Sequence, residues 1–268
     1  MKKKKLFIST MLISITGLNS CLIDGGNKQS ASAYGVLRYN DYSSLCLYST
    51  FVDPVSSPQL SQLVSEGKMQ PNFCYTFNFE IDYDRPENTR ATLLSNGYYT
   101  VTINDYTQLP TFYVNPHLTD TTAAMENEIP VSNGYVSAAY AAEYIYIQQT
   151  VNQPSDAQLN WDISFEYASI TNPKVESGIR YYDLFVRAQT LTEGTKSNTD
   201  VSHLNAFYMS NFFNLVAQNE KTQLGANYSS TSTFKFRIFY VKEIKDGVLT
   251  WHSSLPQEAY ISAFTENY

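Results

Sequence analysis

The chain has 268 residues, with 25 Asp and Glu against 18 Lys and Arg, and its formal net charge is −7. A chain this acidic offers no basic surface for phosphates, which argues against nucleic acid as a partner. The 22 Tyr and 15 Phe, set against 11 Gly and 10 Pro, favour β-strands, because aromatic side chains suit a half-buried pleated sheet.

The first twenty residues have the pattern of a secretory signal peptide. Four lysines at residues 2–5 precede an apolar run over residues 6–18, which is shorter than the roughly 20 residues that span a bilayer. Leu18-Asn19-Ser20-Cys21 resembles the bacterial lipobox, in which the cysteine is acylated and becomes the mature N-terminus. We therefore predict a lipoprotein signal peptide over residues 1–20 and palmitate-type lipidation of Cys21. Removal of the four lysines changes the net charge from −7 to −11.

The residues that follow Cys21 predict where the protein is held. Leu22 occupies the place of the Asp that retains enteric lipoproteins at the inner membrane, which predicts an outer-membrane location. Two or three acyl chains, at about 0.8 kcal/mol per buried CH₂, make such an anchor stable. The sequence leaves open whether the protein faces the periplasm or the cell surface. Residues 21–33 are small and polar, which predicts a flexible lipidated tether of about 20 Å.

Three segments alternate between apolar and polar residues with a period of two, over residues 73–84, 159–167 and 234–240. This period is typical of strands with one buried face. In the second segment the side chains predicted to face the core are Leu159, Trp161, Ile163, Phe165 and Tyr167. Those predicted to face the solvent are Asn160, Asp162, Ser164 and Glu166. Asp246-Gly247 then predicts a hairpin turn. Shorter strands are predicted over residues 34–39, 45–52, 98–103, 144–151 and 179–188.

One segment has helical spacing, because Val201, Leu204, Tyr208, Phe212 and Leu215 recur every three or four residues. We therefore predict a helix near residues 200–218.

A stretch bracketed by two prolines, residues 107–116, is predicted to divide two domains. The sequence thus predicts an all-β protein. A small N-terminal OB-like β-barrel occupies residues 34–108, and a C-terminal β-sandwich occupies residues 113–268.

The sequence also resembles the NigD-like lipoproteins of Bacteroides and its relatives. The resemblance rests on the lipobox, on GKMQPNFCYTFNFEIDYD from Gly67, on NGYYTVTIND from Asn96 and on IPVSNGYVSAAYAAEYIYI from Ile129. It implies a lipoprotein signal, a small OB-like barrel and a C-terminal β-sandwich. The family takes its name from a bacteriocin-associated operon, and the resemblance implies location and fold more firmly than activity.

The sequence contains no pattern that indicates catalysis. His117, His203 and His252 are far apart and form no HExxH motif, and G-x-S-x-G, the P-loop and G-x-G-x-x-G are absent. We therefore predict no metal site, no cofactor and no enzymatic activity.

Cys46 and Cys74 remain once Cys21 is acylated. Outside the inner membrane two cysteines can pair, and the disulfide would close a loop of about 28 residues. A disulfide and two free thiols both stay open, because Cys74 lies on the polar face of its strand.

Asp120-Thr121-Thr122 resembles the short O-glycosylation signal of Bacteroides and makes Thr121 a candidate for modification. The alternative is an ordinary loop triplet.

Three functions fit these features. The first is a non-enzymatic NigD-like outer-membrane lipoprotein, bacteriocin-associated in one reading, that acts by binding or shielding at the cell envelope. Its partners would be the membrane, through the acyl anchor, and an envelope protein or a glycan. The second is a surface glycan-binding lipoprotein of a polysaccharide-uptake system, which exposed aromatic rings would support. The third is a fimbrillin-type pilus subunit, for which Arg38 is the early candidate for proteolytic maturation.

Overall fold

The computed structural model describes residues 27–49, 53–118, 120–131, 137–141 and 143–265, so the predicted signal peptide and Cys21 lie outside the described residues. Within these residues the chain forms a closed five-stranded barrel followed by two further β-sheets. The predicted all-β fold class is confirmed. No helix in the described part of the chain is long and apolar enough to cross a membrane.

The barrel closes in the strand order β1-β2-β3-β5-β4, with only the β3–β5 pair parallel. A helix between β3 and β4 begins at Pro58, and the Ser57 side chain caps it by accepting a hydrogen bond from the Gln59 backbone N–H. This is the topology of an OB barrel. The strands are β1 (Lys28–Tyr39), β2 (Leu45–Ser49), β3 (Val55–Ser56), β4 (Cys74–Asp82) and β5 (Tyr99–Gln108), and the helices are α1 (Pro58–Ser65) and α2 (Arg90–Asn96).

The barrel begins earlier in the chain than the sequence predicts. Lys28 already pairs with Asp82 of β4, and the ladder continues to Val36 and Cys74. Residues 28–33 are therefore strand, and their assignment to a flexible tether is wrong. Their small polar residues look like a linker, but Ala31 and Ala33 pack on the barrel core and β4 satisfies their backbone groups.

The alternation over residues 73–84 is confirmed within β4. The four inward side chains from Tyr75 to Ile81 are buried in the barrel core. Phe73 and Tyr83 lie just outside the strand and are each 37% exposed, because the chain turns away from the barrel at both ends.

The second region consists of a seven-stranded and a four-stranded sheet that share one hydrophobic core. The larger sheet has the central order β10-β12-β14-β15, with β7, β11 and β16 paired at its margins, and the smaller has the order β6-β13-β9-β8. The first six strands are β6 (Thr111–Tyr113), β7 (Glu128–Ile129), β8 (Ser137–Ala141), β9 (Tyr144–Pro154), β10 (Gln158–Ser164) and β11 (Lys174–Glu176). The others are β12 (Ile179–Thr192), β13 (Asn198–Tyr208), β14 (Thr233–Lys245), β15 (Val248–Ser253) and β16 (Gln257–Tyr260), and the helices are α3 (Ala168–Thr171), α4 (Ser210–Leu224) and α5 (Ser262–Thr265).

The helix predicted near residues 200–218 is wrong in its first half. Residues 198–208 form β13, which pairs with β9 along its whole length, and α4 starts only at Ser210. The inward face of β13 carries the polar His203 and Asn205, while Leu204 and Tyr208 on its outward face pack against the barrel. Because both faces of β13 are covered by protein, apolar residues occur on both faces. Their spacing along the chain therefore resembles the spacing expected for a helix.

The core strand β10 follows the predicted alternation as far as Ile163. Ser164, predicted to face the solvent, is completely buried, because Asn115 forms a β-bridge with it. Trp161, Ile163 and Phe165 are buried in the shared core, and Glu166 is exposed. Tyr167, predicted to face inward, is 53% exposed, because the chain turns there into α3. The predicted Asp246-Gly247 hairpin is confirmed, since both residues adopt the positive φ of a tight turn between β14 and β15.

The barrel packs against the smaller sheet through an apolar contact. Val36 and Cys74 on the outer face of the barrel meet Tyr146 and Ala206 on the outer face of that sheet. One ion pair accompanies the contact, in which an Nη2 of Arg38 lies 3.0 Å from Oε2 of Glu143.

Candidate functional site

A groove opens on the barrel at the end where β1 finishes. Its walls are the β1–β2 loop, the turn between β3 and α1, one side of α1 and the start of β5. Its volume is about 570 Å³, which lies within the range of sites that hold small molecules. The site therefore has the size and the concave shape that a binding function needs.

The β1–β2 loop is held in shape by Asn40. The Asn40 side-chain carbonyl accepts hydrogen bonds from the backbone N–H groups of Tyr42, at 3.0 Å, and Ser44, at 2.8 Å. Its amide nitrogen donates to the Asn96 backbone carbonyl at 3.1 Å, which joins this loop to the end of α2. These bonds hold Ser43 and Ser44 in the groove wall, so this wall is preformed in the absence of a ligand.

The opposite wall begins at the turn between β3 and α1. Ser56 and Ser57 are buried at this turn, and the Ser56 hydroxyl donates to the Leu45 backbone carbonyl at 2.6 Å. Ser61 and Ser65 follow on the side of α1 that lines the groove. Because α1 packs its Leu60 side chain in the barrel core, its serine side has a fixed position relative to the β1–β2 loop.

Two tyrosines belong to the groove lining. Tyr39, the last residue of β1, is 56% exposed, and Tyr98 precedes β5 on the other side. Tyr42 stands in the adjacent loop and is 69% exposed. The ring of Tyr39 therefore offers a face for stacking beside a polar wall.

The two cysteines left open by the sequence are not brought together. Cys46 of β2 pairs with Arg38 on one edge of β1. Cys74 of β4 pairs with Val36 on the other edge, so β1 lies between the two cysteines. Two strand spacings amount to about 9.5 Å, beyond the roughly 7 Å that a disulfide can bridge. Both thiols are free and buried, and burial raises the pKa of each to about 11.

The sequence placed Cys74 on a polar outer face, whereas the structure buries it completely. The outer face of the barrel is covered there by the second region, and the Tyr146 hydroxyl donates to the Cys74 sulfur at 3.5 Å. Cys74 therefore belongs to the contact between the regions, whereas Cys46 is buried next to Ser56.

The three histidines stand in separate environments. His117 and His252 are exposed, and His203 is partly buried beside Trp161, where burial lowers its pKa. Among the described residues no group of three or more His, Cys, Asp or Glu side chains could hold a metal ion.

Thr121 lies in an ordered turn. The Asp120 carboxylate accepts hydrogen bonds from the backbone N–H and hydroxyl of Thr122, and the Thr121 backbone carbonyl accepts one from the Trp251 indole at 2.8 Å. The Thr121 side chain is partly exposed, and its O-glycosylation stays a prediction.

The groove was not predicted from the sequence. Its lining comes from four segments spread between residues 39 and 100, and the serine pairs at 43–44 and 56–57 match no chemical motif. One signal could have revealed part of it, because Ser57-Pro58 is a helix-start pattern that predicts α1.

Comparison with known proteins supports the barrel assignment. Residues 25–107 match the model of a family described as a lipoprotein OB domain. These residues are thus similar to the OB domain of a lipoprotein family, which confirms the resemblance inferred from the sequence at the level of this domain. Among curated proteins, none matches the chain.

Two solved structures share the fold of this chain, and a third has a lower TM-score. An uncharacterized protein from Parabacteroides merdae has a TM-score of 0.70 at 19% identity, covering 86% of this chain and 99% of its own. A putative toxin-related protein from Parabacteroides distasonis has a TM-score of 0.53 at 10% identity, covering 89% of this chain and 98% of its own. A NigD-like immunity protein from Bacteroides caccae has a TM-score of 0.44 at 11% identity, covering 86% and 94%. At these identities the first two similarities show the fold alone.

Proposed function

We propose that the protein is a non-enzymatic lipoprotein, anchored in the outer membrane by acylated Cys21, that acts by binding a partner at the cell envelope. The observation that carries the proposal is the match of residues 25–107 to a lipoprotein OB domain. The match begins only four residues after Cys21, where the sequence predicts lipidation. A lipid anchor and a binding-type barrel would then be adjacent in one chain.

The start of the barrel limits its distance from such an anchor. The Asn27 backbone N–H donates to the Asp84 carboxylate at 2.9 Å, so the ordered barrel includes Asn27. Six residue steps separate Asn27 from Cys21, which reach at most about 21 Å when extended. An acylated Cys21 would therefore hold the barrel close to the membrane surface.

The groove lies at the far end of β1 from this anchor. Lys28 begins the strand and Tyr39 ends it, and twelve residues of strand cover about 35 Å along their path. The groove would thus open away from the membrane to which the protein is attached, where it could meet a partner.

The geometry weakens the pilus-subunit alternative. Arg38, its candidate cleavage residue, lies inside β1, which is paired with β2 on one side and β4 on the other. Its guanidinium is paired with Glu143 of the second region. A maturation protease needs an accessible extended segment, and this backbone is already occupied on both edges.

The proposal is tested by labelling native-host cells with an alkynyl palmitate analogue and separating inner from outer membranes. We expect the wild-type protein to be labelled and to fractionate with the outer membrane, and Cys21→Ala to lose both properties. Cys46→Ala is the matched control and should keep them, because Cys46 is buried in the barrel. Equal labelling of wild type and Cys21→Ala would overturn the proposal, and protease treatment of intact cells would identify the exposed face.

A further inference from the structure

The geometry points to a neutral oligosaccharide as the ligand of the barrel groove. This inference rests on the proposed binding function and adds to it the chemical class of the partner. It is drawn from the charge of the groove, the state of its hydroxyl groups and the position of its aromatic rings.

The first argument is charge. None of the described residues that line the groove carries a charged side chain, although charged residues make up 16% of the chain. A phosphate or nucleic-acid ligand needs Lys or Arg contacts, and an anionic sugar would need a cation to offset its desolvation. A neutral ligand leaves no charge unpaired in such a groove.

The second argument is the number of hydroxyl groups. Seven of the twelve lining residues are Ser or Thr, and a hydroxyl can both donate and accept hydrogen bonds. A sugar presents the same mixed groups along its edge, so hydroxyls on both partners can adjust to one another. A purely apolar ligand would instead displace water from the hydroxyls that do not bond to the protein, which costs free energy. The lining residues of this kind are Ser43, Ser44, Ser56, Ser57, Ser61, Ser65 and Thr100.

The third argument is that part of this hydroxyl set is already oriented. The Ser56 hydroxyl donates to the Leu45 carbonyl at 2.6 Å, and the Ser65 hydroxyl donates to the Gln62 carbonyl at 2.8 Å. Each hydroxyl proton is thereby used in a hydrogen bond to the backbone. The lone pairs of both hydroxyl oxygens are left as acceptors. They suit the O–H donors of a polyol, and their orientation costs little further entropy on binding.

The fourth argument is the aromatic rim. The C–H face of a pyranose packs on an aromatic ring while its hydroxyl groups reach polar partners beside the ring. Tyr39 supplies an exposed ring at the edge of the hydroxyl-lined wall, and Tyr98 lines the other side. The groove volume of about 570 Å³ exceeds the lower bound of about 300 Å³ for small-molecule sites.

The test is a binding titration with the full-length lipidated protein in detergent. The probes are neutral tetrasaccharides of glucose, mannose and xylose, with a tetragalacturonate as the anionic comparison, measured by calorimetry and saturation-transfer NMR. We expect at least one neutral tetrasaccharide to bind and the anionic one to bind at least about tenfold more weakly.

Two variants assign the binding to the groove. Tyr39→Ala removes the rim ring and should weaken binding by about tenfold or more, whereas Tyr167→Ala, at 53% exposure against 56% for Tyr39, should not. Ser61→Arg fills the groove from α1 and should abolish binding, whereas Gln62→Arg on the same helix, outside the lining, should leave it unchanged. Unchanged thermal unfolding of each variant shows that the fold is kept.

Neutral binding that is lost in both groove variants and kept in both controls supports the inference. It is overturned by binding that survives Tyr39→Ala and Ser61→Arg, by preference for the anionic probe, or by no binding to any probe. Each of these outcomes leaves the lipidation and fractionation results untouched, so the ligand class can fail while the anchored envelope protein stands.

Discussion

The barrel and the two-sheet region bury different kinds of side chain. The buried polar residues of the barrel are Ser56, Ser57 and Asn88, which bond to nearby backbone. The two-sheet region buries the charged Arg187 and Glu220 as well as several amides. A small closed barrel can therefore be stabilised mainly by apolar packing. The larger open sheets also use buried ion pairs, which attach the loops and the helix that cover them.

Arg187 shows how such a pair works. Its Nε donates to Oε1 of Glu128 at 2.7 Å and an Nη2 donates to Oε2 at 2.5 Å, with both side chains almost completely buried. The same guanidinium donates to the backbone carbonyls of Asp120, at 2.6 Å, and Ala123, at 3.0 Å. One arginine of the large sheet thus orders the loop that contains Thr121.

The largest expected effect comes from breaking this pair. Arg187→Met should reduce the free energy of unfolding by about 3–5 kcal/mol, because the Glu128 carboxyl would remain buried without its partner. Chemical denaturation of a form that lacks residues 1–21 would measure the loss. The double variant Arg187→Met/Glu128→Met should recover a large part of it, and a double variant as unstable as the single one would contradict this account.

The apolar core of the two-sheet region should respond almost as strongly. Phe165 is fully buried, with its ring centroid 5.1 Å from that of Phe212 of α4, so Phe165→Ala should cost about 3–5 kcal/mol. Its exposed neighbour is the matched control, since Glu166→Gln should change stability by no more than about 0.5 kcal/mol. Similar losses for both variants, in the same denaturation experiment, would show that the assigned faces of this segment are wrong.

The two buried thiols are expected to have the smallest effect on stability and a clear effect on reactivity. Cys46 and Cys74 have pKa values of about 11 against an ordinary 9.0, so at pH 8 each has about 100-fold less thiolate than an unburied cysteine. Native protein should therefore be alkylated by iodoacetamide at least about 100-fold more slowly than protein in guanidinium chloride, as followed by mass spectrometry. Ser95→Cys on α2 adds an exposed thiol that should react at the unfolded rate.

The same two thiols should make the stability of the folded state decrease at high pH. Because their folded pKa is raised above the unfolded value, the neutral thiols stabilise the folded state fully below about pH 9. This contribution is lost as the pH rises towards 11. Rapid native alkylation at pH 8, or stability that increases between pH 9 and 11, would mean that the folded protein does not bury these thiols.

The sequence by itself determined the strands whose two faces have opposite environments. The inward residues from Tyr75 to Ile81 and the residues Trp161, Ile163 and Phe165 face a core. Polar residues alternate with them along the chain, so their period of two is visible in the sequence. Local turn chemistry was equally readable, since Asp246-Gly247 supplies the positive φ that its hairpin needs.

Tertiary structure decided the elements that are covered on both sides or held by distant partners. β13 carries polar residues inward and apolar residues towards the barrel, so its own pattern indicated a helix. Residues 28–33 became strand only because β4 pairs with them, and Cys74 became buried only because the second region packs on its face. The groove depends on Asn40 joining the β1–β2 loop to α2, across 56 residues of chain. The spacing of apolar residues shows which face of an element is buried in its own core. It does not show whether a segment remote in the chain covers the opposite face, and these features depend on such a segment.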